Sequence, residues 1–197
     1  MTMTEPATTR RRPTAAEVAA AGDQVVPDVL GAGMKLLIVG INPGLWSAAA
    51  HAHFARPGNR FWPAMHDSGI TEYRIDASAG FRPEDLDYLM GRGIGLTNIV
   101  ERATARAAEL TSEELQAGVD RIAELNERHR PAVVAFCGIT SYRQAYRRPK
   151  AVLGRQDGNH WVLPNPSGLN AHATPPKLAV AFAEVGRAAG IELHQPS

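Results

Sequence analysis

The stretch LLIVGINPGLWSAAAHAHFARPGNRFW, residues 36–62, decides the fold of this chain. It opens with four apolar residues, 36–39, that do not alternate with polar ones, which is typical of a strand covered on both faces in a parallel sheet. A long loop of small residues follows, and then a helix. Ligands bind at the carboxyl ends of such strands. Within residues 40–44, Asn42 has the only side chain that can both donate and accept hydrogen bonds.

The rest of the chain predicts alternating strands and helices. The clearest helix begins at Thr111, which forms a capping box with Glu114, and a final amphipathic helix begins at Thr174. Further helices are predicted over residues 59–68, 83–90 and 140–146, and further strands over residues 93–100, 132–138 and 161–163. Right-handed crossovers between such elements give a three-layer α/β/α sandwich with a mainly parallel central sheet.

Length and composition indicate one ordinary globular domain. The chain has 197 residues, of which 44% are hydrophobic and 21% charged, and its net charge of +1 gives no overall nucleic-acid signature. We expect a flexible N-terminal tail over residues 1–28 and a single domain over residues 29–197. The triplet Arg10, Arg11 and Arg12 lies in this tail, where nearby acids favour solvated arginines over phosphate contacts. The best local basic patch is at residues 143–155.

The single cysteine, Cys137, excludes several classes of protein. One thiol cannot form an internal disulfide, a four-cysteine zinc site or a cysteine-ligated iron–sulfur cluster. The sequence also has no apolar run of about 18 residues and no signal-peptide core. We therefore expect a soluble cytoplasmic protein that does not enter a membrane.

Two loops share the dipeptide Asn-Pro followed by a glycine. The first spans residues 42–44 and the second residues 165–168, and each follows an apolar strand. One such loop alone would favour a simple turn. Two at strand ends of one sheet favour a shared site.

The motifs themselves resemble a known family. GINPGLWSAAAHAHFARPGNRFW, residues 40–62, closely resembles the first motif of the mismatch-specific uracil/thymine-DNA glycosylases, the second family of the uracil-DNA glycosylase superfamily. VLPNPSGLN, residues 162–170, resembles their second motif, and GIGLTNIVERAT, residues 93–104, lies between with the look of the same family. The resemblance runs from about Lys35 to the final helix.

This resemblance implies a monofunctional DNA glycosylase. Such an enzyme extrudes a base from double-stranded DNA into a pocket and hydrolyses its glycosidic bond, initiating base excision repair. The implied substrates are uracil, and also thymine or ethenocytosine, in mispairs with guanine. The resemblance also implies action on DNA without a metal or an organic cofactor. Nothing in the sequence demands more than a monomer, and for a cytoplasmic protein that acts on DNA we expect association with the nucleoid.

The resemblance also assigns roles to residues. Asn42 matches the residue that positions the attacking water, and Phe54 matches the aromatic ring on which the flipped base stacks. The implied base-binding site comprises Gly40, Ile41, Ser47, His53 and Phe54. The implied wedge, which fills the gap in the duplex and reads the opposite base, comprises Asn165, Ser167, Gly168, Leu169 and Asn170. Asn98 is a possible second site residue, although it is neutral where some relatives use a charged one.

Several points stay open at the level of sequence. Trp46 could face the base or the core, and His51 could be a plain loop residue. Arg56 and Arg60 could hold phosphates or be surface charges. Two other functions fit the same residues. One is a lesion-binding protein with little turnover. The other is a nucleotide-binding hydrolase of α/β fold, which the missing Walker-type lysine with serine or threonine counts against.

Overall fold

The computed structural model describes residues 10–195 of the chain, and within them it has a central five-stranded sheet. Its strands are β1 Leu36–Gly40, β2 Ile94–Asn98, β3 Val133–Cys137, β4 Gly154–Arg155 and β5 His160–Leu163. They lie in the order β2-β1-β3-β5-β4. The strands β2, β1, β3 and β5 are parallel to one another, and β4 is antiparallel to β5.

Helices cover both faces of this sheet. They are α1 Ala15–Ala19, α2 Leu45–Ala49, α3 Phe61–Asp67, α4 Pro83–Gly91, α5 Ser112–His129, α6 Ile139–Ala145 and α7 Pro175–Ala188. The side chains of β1 alternate between two apolar cores: Leu36 and Ile38 pack with residues of α3, α4 and α7, whereas Leu37 and Val39 pack with residues of α5 and α6. The predicted three-layer sandwich with a mainly parallel sheet is confirmed.

Residues 10–28 pack against the domain and thus differ from the flexible tail predicted for residues 1–28, of which residues 1–9 lie outside the described part. Thr14 caps α1, and Ala21 and Val26 are buried against residues of α2 and the loop after β2. Asp28 pairs with Arg121 of α5. These buried apolar residues are too sparse to give a period in the sequence, so only their tertiary contacts reveal that the segment is ordered.

Two short elements differ from the predicted pattern. The small-residue loop after β1 contains helix α2, whose five residues are too few to show a helical period. β4 has only two residues and pairs with the edge of β5. No helix among residues 10–195 is long and apolar enough to cross a membrane.

Two threonines occupy N-cap positions, but only one of them makes a side-chain cap hydrogen bond within the described chain. The Oγ1 of Thr111 accepts a hydrogen bond from the backbone N–H of Glu114 at 3.1 Å, which confirms the predicted capping box. Thr174 precedes α7, but its side chain makes no cap hydrogen bond within the described chain. α7 begins instead with Pro175, which lacks a backbone donor.

We therefore expect Thr111→Ala to lower the free energy of unfolding by about 1 kcal/mol, because an N–H of α5 loses its acceptor. Thr174→Ala is the matched control and should change it by less than about 0.5 kcal/mol. Urea denaturation followed by circular dichroism measures both. Equal losses in the two variants would contradict this account of the caps.

Candidate active site

The rim of the sheet brings the ends of β1 and β2 together. Gly40 pairs with Asn98, and the pairing continues beyond the strands because the N–H of Ile99 donates to the carbonyl of Gly40 at 2.9 Å. A Cβ on Gly40 would lie 2.3 Å from the Oδ1 of Asn98 and 3.2 Å from the ring of Phe54. Only glycine therefore lets the amide and the aromatic ring converge on this point.

Asn42 is held by the segment that follows β2. Its Nδ2 donates to the carbonyl of Arg102 at 3.1 Å and to the Oγ1 of Thr104 at 2.8 Å, and also lies 3.1 Å from the carbonyl of Pro43. Three acceptors around one end of the amide identify that end as the nitrogen. No residue in the described range donates to Asn42 Oδ1, and Asn42 is half-buried. The site thus holds a fixed amide with an available acceptor.

His53 fixes the orientation of Asn98. The Nε2 of His53 lies 3.0 Å from the carbonyl of Pro27, which can only accept, so Nε2 carries the proton. Its Nδ1 is then an acceptor for the Nδ2 of Asn98 at 3.3 Å. This leaves Asn98 Oδ1 facing Gly40 with no donor among the residues that the structure describes. Burial lowers the pKa of His53 to about 4, so the ring stays neutral near pH 7.

Phe54 has its ring stacked on Phe61. The ring centroids are 3.8 Å apart and the planes differ by 12°. Phe54 has a φ of +54°, a conformation that residues other than glycine rarely adopt and that is associated with functional sites. It remains half-buried at the rim of the sheet.

The other residues of the first loop have mainly structural contacts. The hydroxyl of Ser47 is buried and accepts from the N–H of Ala55 at 3.1 Å, which braces the turn that carries Phe54. The indole of Trp46 packs against the core and donates to the carbonyl of Ser78 at 3.1 Å. His51 is exposed, and Ile41 is half-buried beside the groove described below.

The second loop is braced internally and presents one apolar side chain to solvent. Asn165 Oδ1 accepts from the N–H of Ser167 at 3.0 Å, and Asn170 Nδ2 donates to the carbonyl of Asn165 at 3.0 Å. Asn170 Oδ1 also accepts from the N–H of His172 at 3.2 Å. Leu169 is 83% exposed. The loop therefore holds Leu169 outward on a rigid turn.

Arg60 ties the second loop to the first. Its guanidinium donates to the carbonyls of Asn170 at 3.0 Å, Ala173 at 2.8 Å and Gly168 at 3.3 Å, and its backbone N–H donates to the carbonyl of Pro166 at 2.9 Å. Gly168 comes so close to the first loop that a Cβ there would lie 2.4 Å from the carbonyl of Gly58. From the sequence, Arg60 was expected to bind a phosphate or to be a surface charge. Its contacts with backbone carbonyls could not be predicted, because such acceptors leave no signal in a sequence.

A groove of about 980 Å³ adjoins both loops along the edge of the sheet. Ile41 of the first loop and Asn165 and Asn170 of the second line it, together with apolar residues of β5 and α7. Within residues 10–195 no three His, Cys, Asp or Glu side chains lie close enough together to bind a metal ion.

The fold is that of an α/β protein, and the candidate site lies at the carboxyl ends of its parallel strands, where such proteins bind ligands. The chain belongs to the Uracil DNA glycosylase superfamily, whose family model matches residues 27–185. The solution NMR structure of a candidate uracil DNA glycosylase from Methanosarcina acetivorans is similar in fold. The TM-score is 0.58 at 19% sequence identity, over 83% of this chain and 98% of that one. Membership of the superfamily indicates a DNA glycosylase, a hydrolase of N-glycosidic bonds.

If Arg60 holds the second loop, Arg60→Gln should increase hydrogen exchange of the backbone amides at residues 167–173, since three charged hydrogen bonds to the loop weaken or disappear. Mass spectrometry of peptides from this loop measures the change. Arg56→Gln is the control, because the side chain of Arg56 is exposed and has no hydrogen-bond partner in the described chain. Unchanged exchange in Arg60→Gln would contradict the role assigned to Arg60.

The burial of His53 predicts a dependence of stability on pH. The unfolded chain binds a proton at His53 near the ordinary pKa of 6.5, but the folded chain does so only near 4. Unfolding therefore takes up a proton between these values, and the free energy of unfolding falls as the pH drops from about 6.5 to about 4. This group alone contributes at most about 3 kcal/mol to that fall.

Urea denaturation at several pH values measures this fall. His53→Gln should show a smaller loss between pH 6.5 and 4 than the unaltered protein. His160, whose pKa is also lowered by burial, is present in both proteins and so cancels in the comparison. Parallel curves for the two proteins would contradict a neutral, buried His53.

Proposed function

We propose that this chain is a mismatch-specific uracil/thymine-DNA glycosylase of the second family. It flips uracil out of mispairs with guanine in double-stranded DNA, also accepts thymine or ethenocytosine, and initiates base excision repair as a monomer in the cytoplasm, at the nucleoid. The observation that carries the proposal is the fixed amide of Asn42, whose nitrogen is held by Arg102 and Thr104 and whose oxygen is available.

Asn42 acts by placing a water molecule. Its Oδ1 accepts a hydrogen bond from the water, whose oxygen attacks C1′ of the sugar as the C1′–N1 bond breaks. The electron pair of that bond leaves with the base as a pyrimidine anion, and the proton of the water passes to solvent. An amide does not take up a proton near neutral pH, so orientation and stabilisation of separating charges supply the rate. The oxocarbenium-like sugar resembles that of other glycosidases.

Asn98 and Phe54 favour a uracil-like base in the pocket. Stacking on Phe54 is worth about 1–3 kcal/mol and tolerates any base. The preference for uracil and thymine over cytosine comes from Asn98, because its orientation by His53 leaves Oδ1 as an acceptor beside Gly40. Ethenocytosine has no donor at N3, so stacking on Phe54 alone accounts for its acceptance. Uracil and thymine carry a donor at N3, whereas cytosine has an acceptor there. A neutral His53 keeps this pattern fixed, since a protonated ring could not accept from Asn98.

The second loop supplies the wedge. Leu169 is exposed and apolar, which suits insertion into the base stack in place of the flipped nucleotide. Asn170 already uses both ends of its amide within the loop, but its Oδ1 has a second lone pair. That lone pair can accept from the N1–H or N2–H of the guanine left without a partner.

Single-turnover excision from duplexes with guanine–uracil, adenine–uracil and guanine–thymine pairs tests the proposal. We expect the guanine–uracil duplex to react fastest and Asn42→Ala to lower its rate by about 100-fold or more, because the water loses its acceptor. Duplex binding by this variant is the control and should change little. Its circular dichroism spectrum checks that it is folded, because the substitution also removes the hydrogen bonds of Asn42 to Arg102 and Thr104.

Two outcomes would contradict the proposal. If the unaltered protein gives no abasic product from any of these duplexes or from ethenocytosine, the chain is not a glycosylase, and lesion binding without turnover becomes the better account. Binding of free mononucleotides with indifference to duplex DNA would instead favour a nucleotide-binding hydrolase.

A further inference from the structure

A second pocket, of about 390 Å³, lies beside the base site. Phe54, on whose ring the base would stack, and Trp62 are among the residues that line it. Three arginines from separate parts of the chain also line it, namely Arg12, Arg56 and Arg74. We call it the arginine pocket.

Of the three consecutive arginines near the N-terminus, Arg12 alone presents its charge to this pocket. Arg10 donates to the backbone carbonyls of Asp76 at 2.9 Å and Gly80 at 2.7 Å. Arg11 forms an ion pair with Glu17 and does not line the pocket. Arg12 donates through Nε to the hydroxyl of Ser78 at 3.0 Å, and its two terminal nitrogens have no acceptor among residues 10–195.

The other charges of the pocket leave it positive. Arg56 and Arg74 are exposed, and neither guanidinium group has a hydrogen bond or an ion pair with any described residue. Asp76 is the one acid among the described lining residues. Its Oδ1 accepts from the N–H of Ser78, and hydrogen bonds from Ser78 hold its pKa below the ordinary value. Three positive charges against one negative charge favour an anionic ligand.

The basic patch predicted from the sequence, at residues 143–155, is less suited to such a ligand. In the patch at residues 143–155, Arg143 donates to the carbonyl of Ala151, and Arg148 pairs with Asp157. Arg147 donates to the side chain of Gln116. Most of the guanidinium groups in that patch are therefore already engaged within the protein.

We propose that the arginine pocket binds a backbone phosphate of the DNA strand that carries the flipped nucleotide. This inference rests on the proposed glycosylase function. Guanidinium groups match phosphate oxygens in geometry and charge. Because the pocket shares Phe54 with the base site, it lies next to the nucleotide whose base stacks on that ring. The contacts of Arg10 anchor the segment before binding, so Arg12 is held ready for the phosphate.

Arg12→Gln and Arg11→Gln form a matched pair that tests this proposal. Both variants remove one positive charge from neighbouring positions, but only the first removes it from the pocket. The probe is a duplex with non-hydrolysable 2′-fluoro-2′-deoxyuridine opposite guanine. Its Kd is measured by fluorescence anisotropy over a range of salt concentrations.

Arg12→Gln should weaken binding about tenfold, as expected for a lost charged hydrogen bond, and reduce the slope of log Kd against log salt by about 0.9. Arg11→Gln should leave both close to those of the unaltered protein. Arg12→Lys, which keeps the charge but not the Nε contact, should restore the slope. Equal effects of Arg12→Gln and Arg11→Gln would overturn the proposal, as would failure of Arg12→Lys to restore the slope.

Neutral methylphosphonate linkages then identify the phosphate. One linkage near the fluorinated nucleotide, in the same strand, should weaken binding of the unaltered protein but not weaken Arg12→Gln further. Additive losses at every linkage would overturn the assignment. The proposed glycosylase function is tested by a different result: it is wrong if the unaltered protein excises no base. Even in that case, the salt slopes of Arg12→Gln and Arg11→Gln decide whether Arg12 contacts a phosphate.

Discussion

The site depends on the close parallel approach of β1 and β2 at their carboxyl ends. Gly40 and Asn98 are paired there, and a side chain at residue 40 would overlap the amide of Asn98. This approach brings Asn98 and the ring of Phe54 to one point at the rim. The same register carries on into the segment after β2, from which Arg102 and Thr104 hold Asn42. One strand pairing therefore positions both the proposed base-reading amide and the proposed water-holding amide.

The N-terminal segment is part of this arrangement. The carbonyl of Pro27 sets the tautomer of His53, which in turn orients Asn98. Val25 forms a bridge with Arg102, whose carbonyl accepts from Asn42. Asp28 interacts with Thr97 of β2. A segment that the composition predicts to be a tail thus supports the residues at the centre of the site.

Internal contacts of the arginines explain how a nearly neutral chain can present local charge. Arg60 bonds to carbonyls of the second loop, and Arg121 pairs with Asp28, so both act within the fold. Such arginines orient loops and segments without adding to the field outside the protein. By contrast, three arginines whose terminal nitrogens have no acceptor among residues 10–195, Arg12, Arg56 and Arg74, line one pocket beside Phe54. The attraction of a DNA backbone would therefore depend on where the unpaired positive charges lie, rather than on the net charge of the chain.

The sequence by itself determined the α/β sandwich, the order of its main elements and the capping box at Thr111, because apolar period and caps are local signals. It also predicted the two Asn-Pro loops as one site, and parallel strands place both loops at one edge of the sheet. Only the tertiary structure decided the contacts of Arg60, the bond of His53 to Pro27, the order of residues 10–28 and the freedom of Arg12. These depend on contacts with backbone carbonyls and on residues far apart in the chain, and neither leaves a pattern in a sequence.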